Sequence, residues 1–421
     1  MNAPPVRALR ALEALNFFMA DIAAGVGPFL GVYLLAHGWR SGWIGTVMTF
    51  GGVAGVLATA PGGALIDATG RKRLYIALSG ACTIAASAAV LISQNVFLVS
   101  ASQIATALAG AVMVPAVTAV TLGVVGQGGF NRQMGRNQAY NHAGNVFGAA
   151  LSGYLGWKFG LNAVFYLAAI FALLSMASAY LIPETAINHR VARGLAEEDE
   201  DGVSGFATLA KNRPLVVLAA SLAFFHFGNA AMLPLYGLAV VAAKKGDPAA
   251  FTAETIVVAQ TVMIVASLVL MRVRSRRGLW LALLFSFASL PVRGLVAAFF
   301  IDAWGVYPVQ ALDGVGAGLQ SVAVPALIAK VLHGTGRVNV GIGAVMTMQG
   351  VGAALSPALG GWIAQSLGYP VAFLSLGAVS AVSLALWVAF AGMVREKEAP
   401  VTARAANPAS MDIPARARRA G

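Results

Sequence analysis

Long apolar segments alternate with short polar loops along most of the chain. A helix needs about 20 predominantly apolar residues to cross the hydrocarbon core of a bilayer, and the segments have that length or slightly more. The pattern predicts an all-α, polytopic membrane protein. Its twelve transmembrane helices are predicted over residues 12–35, 43–66, 74–94, 97–126, 138–157, 161–182, 214–242, 251–271, 279–301, 304–332, 338–366 and 369–394.

The longest polar stretch, residues 184–213, follows the sixth segment and divides the twelve segments six and six. It contains an acidic run at residues 197–201. Runs of like charge are typical of solvated linkers. The predicted domains are therefore a first six-helix bundle, a cytoplasmic linker, a second six-helix bundle and a disordered cytoplasmic tail, at residues 1–183, 184–213, 214–394 and 395–421.

Short sequences of the first half recur in the second half at similar offsets. Gly-Ala-Ala-Leu-Ser occupies residues 148–152 in the fifth segment and 352–356 in the eleventh, and Val-Pro-Ala occupies residues 114–116 and 324–326. One apolar match could arise by chance, but several in register indicate duplication. Duplicated bundles of this kind place a solute site near the bilayer midplane, between the repeats.

The charges agree with a membrane protein and set its orientation. Only 10% of the residues are charged, against about 25% in soluble domains. With both termini in the cytoplasm, 22 of the 28 Lys and Arg residues lie in cytoplasmic segments, as the positive-inside rule requires. This bias accounts for the net charge of +12 without a nucleic-acid partner, and we expect a multi-pass protein of the cell's inner (plasma) membrane.

The loop after the second segment carries a recognisable motif, Gly63-Ala64-Leu65-Ile66-Asp67-Ala68-Thr69-Gly70-Arg71-Lys72. It resembles the G-x-x-x-D-R-x-G-R-[RK] signature of the major facilitator superfamily, although Ala68 replaces the usual arginine. The resemblance implies two pseudo-symmetric six-helix bundles around a central cavity lined by spans one, four, seven and ten. It also implies a gating role for Gly63, Asp67, Gly70, Arg71 and Lys72, of which the two basic residues could pair across the closed gate.

A second motif lies in spans five and eleven. Its members are similar to the glycine–proline motif of the family's antiporters and are Gly148, Gly153, Ser356, Pro357, Gly360 and Gly361. The fifth-span copy lacks the proline. Small residues also let helices pack closely in lipid, so both interpretations stay open.

Ionisable residues inside a span are costly and mark candidate sites. Asp21 in span one and Asp313 in span ten are the clearest cases, with coupling to solute and structural hydrogen bonding as the two alternatives. Arg293 in span nine favours a structural ion pair or snorkelling to the interface. Further polar candidates within spans, each with helix packing as its alternative, are Gln103, His142, Asn145, His226, Asn229, Gln320 and Gln349.

These observations favour secondary active transport of a small organic solute by alternating access. Proton-coupled efflux by antiport is the preferred interpretation, and proton-coupled import by symport is the alternative. A membrane-embedded sensor or enzyme is less well supported, because the sequence has no H-E-x-x-H motif, no P-loop and a single cysteine, Cys82. We expect no cofactor and no metal; the partners expected for a monomer are the solute, protons and membrane lipid.

Overall fold

The computed structural model describes residues 5–20, 26–193, 212–273, 275–332 and 338–391. Within these ranges the regular structure is helical, with no strand. Thirteen α-helices, named α1 to α13 in chain order, cover Val6–Ala20, Val26–Ala36, Ser41–Ala68, Lys72–Ile92, Val96–Phe159, Asn162–Leu181, Arg213–Asn229, Met232–Ala242, Pro248–Leu270, Arg276–Phe299, Val306–Val331, Val338–Leu367 and Tyr369–Ala389.

Ten helical segments among the described residues are long and apolar enough to cross a membrane, and each coincides with a predicted span. The first and fifth predicted spans are the exceptions. The first is represented by α1 and α2, of 15 and 11 residues, on either side of residues 21–25, which lie outside the described ranges. The fifth falls in the second part of α5, where the polar side chains of Gln138, Asn141, His142 and Asn145 lower the mean hydropathy.

The helix α5 contains one sharp bend, at Gly126, where φ is 68° and ψ is 174°. A residue with a Cβ rarely adopts this backbone conformation, so glycine is the residue that permits the bend. The bend separates two helical segments and falls at the end of the fourth predicted span. The predicted linker and tail mostly lie outside the described residues.

The two halves of the chain are in contact along one set of helix ends. Near the start of α3, Ser41 Oγ donates to the carbonyl oxygen of Gly361 on α12 at 3.2 Å. The helices approach so closely that a Cβ added to Gly45 would lie 2.0 Å from the carbonyl oxygen of Pro357. Further along the same pair, a Cβ on Gly52 would lie 2.9 Å from Cα of Ala354.

A second helix pair joins the halves in the same way. A Cβ added to Gly153 or Gly156 on α5 would lie 2.3 or 2.5 Å from the Cβ of Ala253 or Ala249 on α9. We call the contacts of α3 with α12 and of α5 with α9 the seam. On α3 the seam occupies the half that begins at Ser41, so it lies away from the Asp67–Lys72 loop at the other end.

Candidate functional site

A fully buried arginine organises the polar side chains of the second half. Arg293 on α10 has no exposed surface and forms a salt bridge with Asp313 on α11, at 2.9 Å between Nη1 and Oδ1. Its Nε donates to the carbonyl oxygen of Val309 at 3.1 Å, and its Nη2 donates to Oε1 of Gln310 at 2.9 Å. A buried charge is stable only when it is paired and hydrogen-bonded, and these contacts meet both conditions.

Asn229 on α7 completes the ion pair. Its Oδ1 accepts a hydrogen bond of 2.5 Å from Nη1 of Arg293, and its Nδ2 donates to Oδ1 of Asp313 at 3.0 Å. The two ions therefore orient both ends of one amide. Asp313 keeps 12% of its side-chain surface exposed, so the carboxylate is the accessible member of the group.

A second chain of hydrogen bonds links α7, α11 and α10. His226 Nε2 lies 3.1 Å from Oε1 of Gln320, and Nε2 of Gln320 donates to Ser286 Oγ at 2.9 Å. Ser286 in turn donates to the carbonyl oxygen of Gly316 at 2.9 Å. We call Arg293, Asp313, Asn229, His226, Gln320 and their bonded partners on these helices the polar cluster.

The first half contains a cavity of about 550 Å³ of predominantly apolar character. Gln103 lies on its wall with Thr59, Thr83 and Thr106, whereas Met19, Met48 and Met113 supply apolar surface. Gly52 and Val56 line the same cavity and also contact α12, at Ala354 and Gly350. The cavity therefore adjoins the seam.

His142 and Asn145 lie close to the boundary between the halves. His142 Nδ1 is 3.2 Å from Oε1 of Gln260 on α9, a direct polar contact across that boundary. Asn145 Nδ2 donates to Oδ1 of Asn141 at 3.3 Å. The Oδ1 atom of Asn145 is buried and has no hydrogen-bond partner, which leaves an acceptor available.

The antiporter-like motif lies at or beside the seam. Gly153, Pro357 and Gly361 make the close approaches described above. Ser356 is buried, and its Oγ accepts a hydrogen bond from the backbone N–H of Ala231 at 2.9 Å. Gly360 packs against Leu235 on α8, and Gly148 is buried.

The gating-motif residues lie at the far end of α3 from the seam. Lys72 is buried and donates to the carbonyl oxygens of Ile66 and Thr69 at 3.1 and 2.7 Å, whereas Asp67, Gly70 and Arg71 are exposed. In this conformation Lys72, at the start of α4, is bonded to the carboxyl-terminal end of α3.

Two further predicted candidates lie elsewhere. Gln349 is half-buried on α12, next to Gly350. Asp21 lies outside the described residues.

Sequence reasoning missed several residues of these networks. Gln310 lies three positions before Asp313 on one helix face, and Ser286 lies seven before Arg293, so helical spacing could have suggested both. Gln260 gave no signal, because its partner His142 lies on a distant segment. Glu13 was also missed; it is buried on α1 and pairs with Arg136 at 2.7 Å.

Comparison with known proteins decides the family. A family model described as the Major Facilitator Superfamily matches residues 12–339 and 288–418. Two relatives, both named as uncharacterized MFS-type transporters of Mycobacterium tuberculosis, are 40% identical over 393 residues, which is 92% of this chain and 93% of theirs. This chain belongs to the major facilitator superfamily. The resemblance inferred from the Gly63–Lys72 motif is confirmed.

Solved structures of other transporters have the same fold. A mutant of the nucleoside transporter NupG matches with a TM-score of 0.77 and 13% identity over 92% of this chain and 99% of that one. A bacterial homologue of human drug peptide transporters matches with a TM-score of 0.67 and 14% identity over 92% and 98%. At such identities the likeness establishes the fold.

Membership of the superfamily makes the chain a multi-pass membrane protein with a transporter fold. The family matches indicate a transporter without enzymatic activity.

Proposed function

We propose that this superfamily member is a secondary active transporter that moves a small organic solute by alternating access. In this proposal the chain crosses the membrane twelve times, in bundles at residues 1–183 and 214–394, with both termini in the cytoplasm. The bundles rock about a central site that opens to one side of the membrane at a time. Protons drive export of the solute by antiport.

The observation that carries the proposal is the one-sided seam. The halves touch backbone to backbone at Gly45 and Gly361, whereas no described atom lies within 4 Å of a Cβ added to Gly63 or Gly343, at the opposite ends of α3 and α12. A pair of bundles closed at one end and separated at the other is the geometry that an alternating-access carrier needs.

The orientation rests on the basic residues. Arg71, Lys72 and Arg73 lie at the separated ends, and the positive-inside rule assigns such loops to the cytoplasm. The conformation is then inward-open, with the seam closing the outer side.

Two features support proton coupling and export. Asp313 is a partly accessible carboxylate whose ion pair with Arg293 responds to the arrival of a proton or of another cation. Two of the glycines that resemble the antiporter motif, Gly153 and Gly361, belong to the seam itself, and they support the export direction. Asp21 remains a second predicted coupling residue.

Flux measurements on purified protein in proteoliposomes test the proposal. A panel of radiolabelled organic solutes is measured with a pH gradient of either sign and with none. Export by antiport predicts that solute moves in the direction opposite to the proton flux. It also predicts that Asp313→Asn uncouples the solute flux from the proton flux. Movement of solute and protons in the same direction would instead indicate symport. Absence of flux for every solute, with a pH gradient of either sign and with none, would contradict transport.

The control is Asp302→Asn, which removes a carboxylate from the exposed loop between α10 and α11. The hydrogen bond from the backbone N–H of Trp304, with Lys245 nearby, lowers the pKa of Asp302. This group lies outside the polar cluster, so its neutralisation is expected to leave coupled flux unchanged.

A further inference from the structure

The hydrogen-bond donors of the polar cluster are largely engaged within the protein. All but one of the N–H groups of Arg293 donate to Val309, Gln310, Asn229 or Asp313. The guanidinium has no exposed surface. It therefore presents neither a free positive charge nor a fork of donors to a solute.

The proton on His226 can be placed from its neighbours. Ser286 uses its hydrogen on the carbonyl oxygen of Gly316, so its oxygen accepts from Nε2 of Gln320. Gln320 consequently presents its carbonyl oxygen to His226, and Nε2 of His226 must carry the hydrogen. In the neutral ring Nδ1 is then a hydrogen-bond acceptor.

The accessible groups that the polar cluster leaves without a partner are acceptors, since Nε2 of Gln310 also has no partner but is fully buried. Oδ1 of Asp313 receives two hydrogen bonds, whereas no donor among the described residues reaches Oδ2. The side chains of Asp313 and His226 are both partly exposed. Asp313 Oδ2 and His226 Nδ1 lie on neighbouring helices and have capacity for a donor supplied by a ligand.

The first half contains an apolar cavity of a size that suits a small molecule. The cavity of about 550 Å³ is lined by Met19, Met48 and Met113 together with glycines that leave room along α3. Methionine is polarizable and adapts to apolar and aromatic groups of varied shape. The volume of the cavity is within the range of small-molecule sites, which is about 300–1,000 Å³.

We propose that the solute is an amphipathic organic amine. Its N–H donors bind Asp313 Oδ2 and His226 Nδ1, and its apolar part lies in the methionine-lined cavity of the first half. A carboxylate solute has no N–H donor to offer either acceptor, and the guanidinium of Arg293 has no exposed surface with which to bind it. This assignment of a solute class rests on the proposed transport function, whereas its binding test does not need transport.

Equilibrium binding to the full chain in lipid nanodiscs tests the assignment with three probes that share one ring. Phenethylamine carries N–H donors and a positive charge; phenethyltrimethylammonium carries the charge without donors; hydrocinnamate is an anion of similar length. A hydrogen bond to a charged group predicts that phenethylamine binds about tenfold or more tightly than either analogue. Equal binding of the three probes, tighter binding of hydrocinnamate, or no binding of any of them overturns the assignment.

Variants tie the preference to the two acceptors. His226→Leu removes one acceptor, and the pair Asp313→Asn with Arg293→Met replaces the charged carboxylate by a neutral amide without leaving a buried charge unpaired. Each is expected to abolish the preference for phenethylamine, whereas Asp302→Asn retains it; a preference that survives both cluster variants contradicts the proposed site. Binding of the amine without its movement across a vesicle membrane would instead count against the transport function alone.

Discussion

The buried guanidinium of Arg293 determines the arrangement of the side chains around it. Removing a charge from water is costly unless partners and hydrogen bonds compensate, and Asp313, Asn229, Gln310 and the carbonyl oxygen of Val309 do so here. Removing one partner of such a pair leaves the other charge buried and uncompensated. The free energy of unfolding is therefore expected to fall more when one member of the Arg293–Asp313 pair is replaced than when both are replaced.

Arg293→Met is expected to destabilise the protein by about 3–5 kcal/mol, because it leaves the carboxylate of Asp313 without its counter-ion. Adding Asp313→Asn is expected to recover much of the loss. Reversible unfolding of both variants in detergent micelles measures the difference. If the double variant is no more stable than Arg293→Met alone, the ion pair does not have the role described.

The sequence identified the individual polar candidates better than their partners. Asp313, His226, Asn229 and Gln320 stand out because polar groups are rare in apolar helices, and the structure brings them into one cluster. Which groups meet depends on helix rotation and packing. Rotation and packing are set by many weak contacts that no local sequence pattern records. The sequence therefore predicted an ion pair for Arg293 but not that Asp313 would be its partner.

At the scale of helices, single glycines determine where the chain bends and how closely helices approach. The apolar segment lengths predicted the helices well, since the bilayer constrains length directly. The sequence signalled the bend at Gly126 only as the end of the fourth predicted span, because it does not state a backbone angle. The seam glycines had two open interpretations, and their contacts place them in close helix packing, which does not exclude the antiporter interpretation.

Gly126→Ala is expected to destabilise the protein by about 1–3 kcal/mol, because alanine strains the backbone conformation of the bend. Gly128→Ala is the matched control, since the described residues leave open space around it. Thermal unfolding of the two variants side by side measures the contrast. Equal stabilities would show that α5 does not need this conformation.

Gly361→Ala is expected to hinder closure of the seam, because its added Cβ would lie 2.4 Å from the carbonyl oxygen of Ser41. Gly343→Ala on the same helix meets no described atom within 4 Å and serves as the control. Labelling of cysteines introduced beside the seam reports its opening. We expect faster labelling with Gly361→Ala than with Gly343→Ala; identical rates would place the closing contact elsewhere.

At the scale of the whole molecule, the described residues of the two halves meet along the seam. Much of this architecture was foreseeable, because the duplicated sequences and the Gly63–Lys72 motif pointed to two related bundles. The conformation was not foreseeable.

The most direct measurement of the central claim is to lock the seam and assay transport. The backbone N–H of Ala358 on α12 donates to Thr49 Oγ1 on α3 at 3.0 Å, so cysteines at these two positions would be adjacent. With Cys82→Ser as background, the oxidised Thr49→Cys/Ala358→Cys protein is expected to form a disulfide and lose transport. Reductant is expected to restore transport, and each single variant is expected to be insensitive to oxidant. Undiminished transport by protein shown to be fully cross-linked would contradict alternating access through this seam.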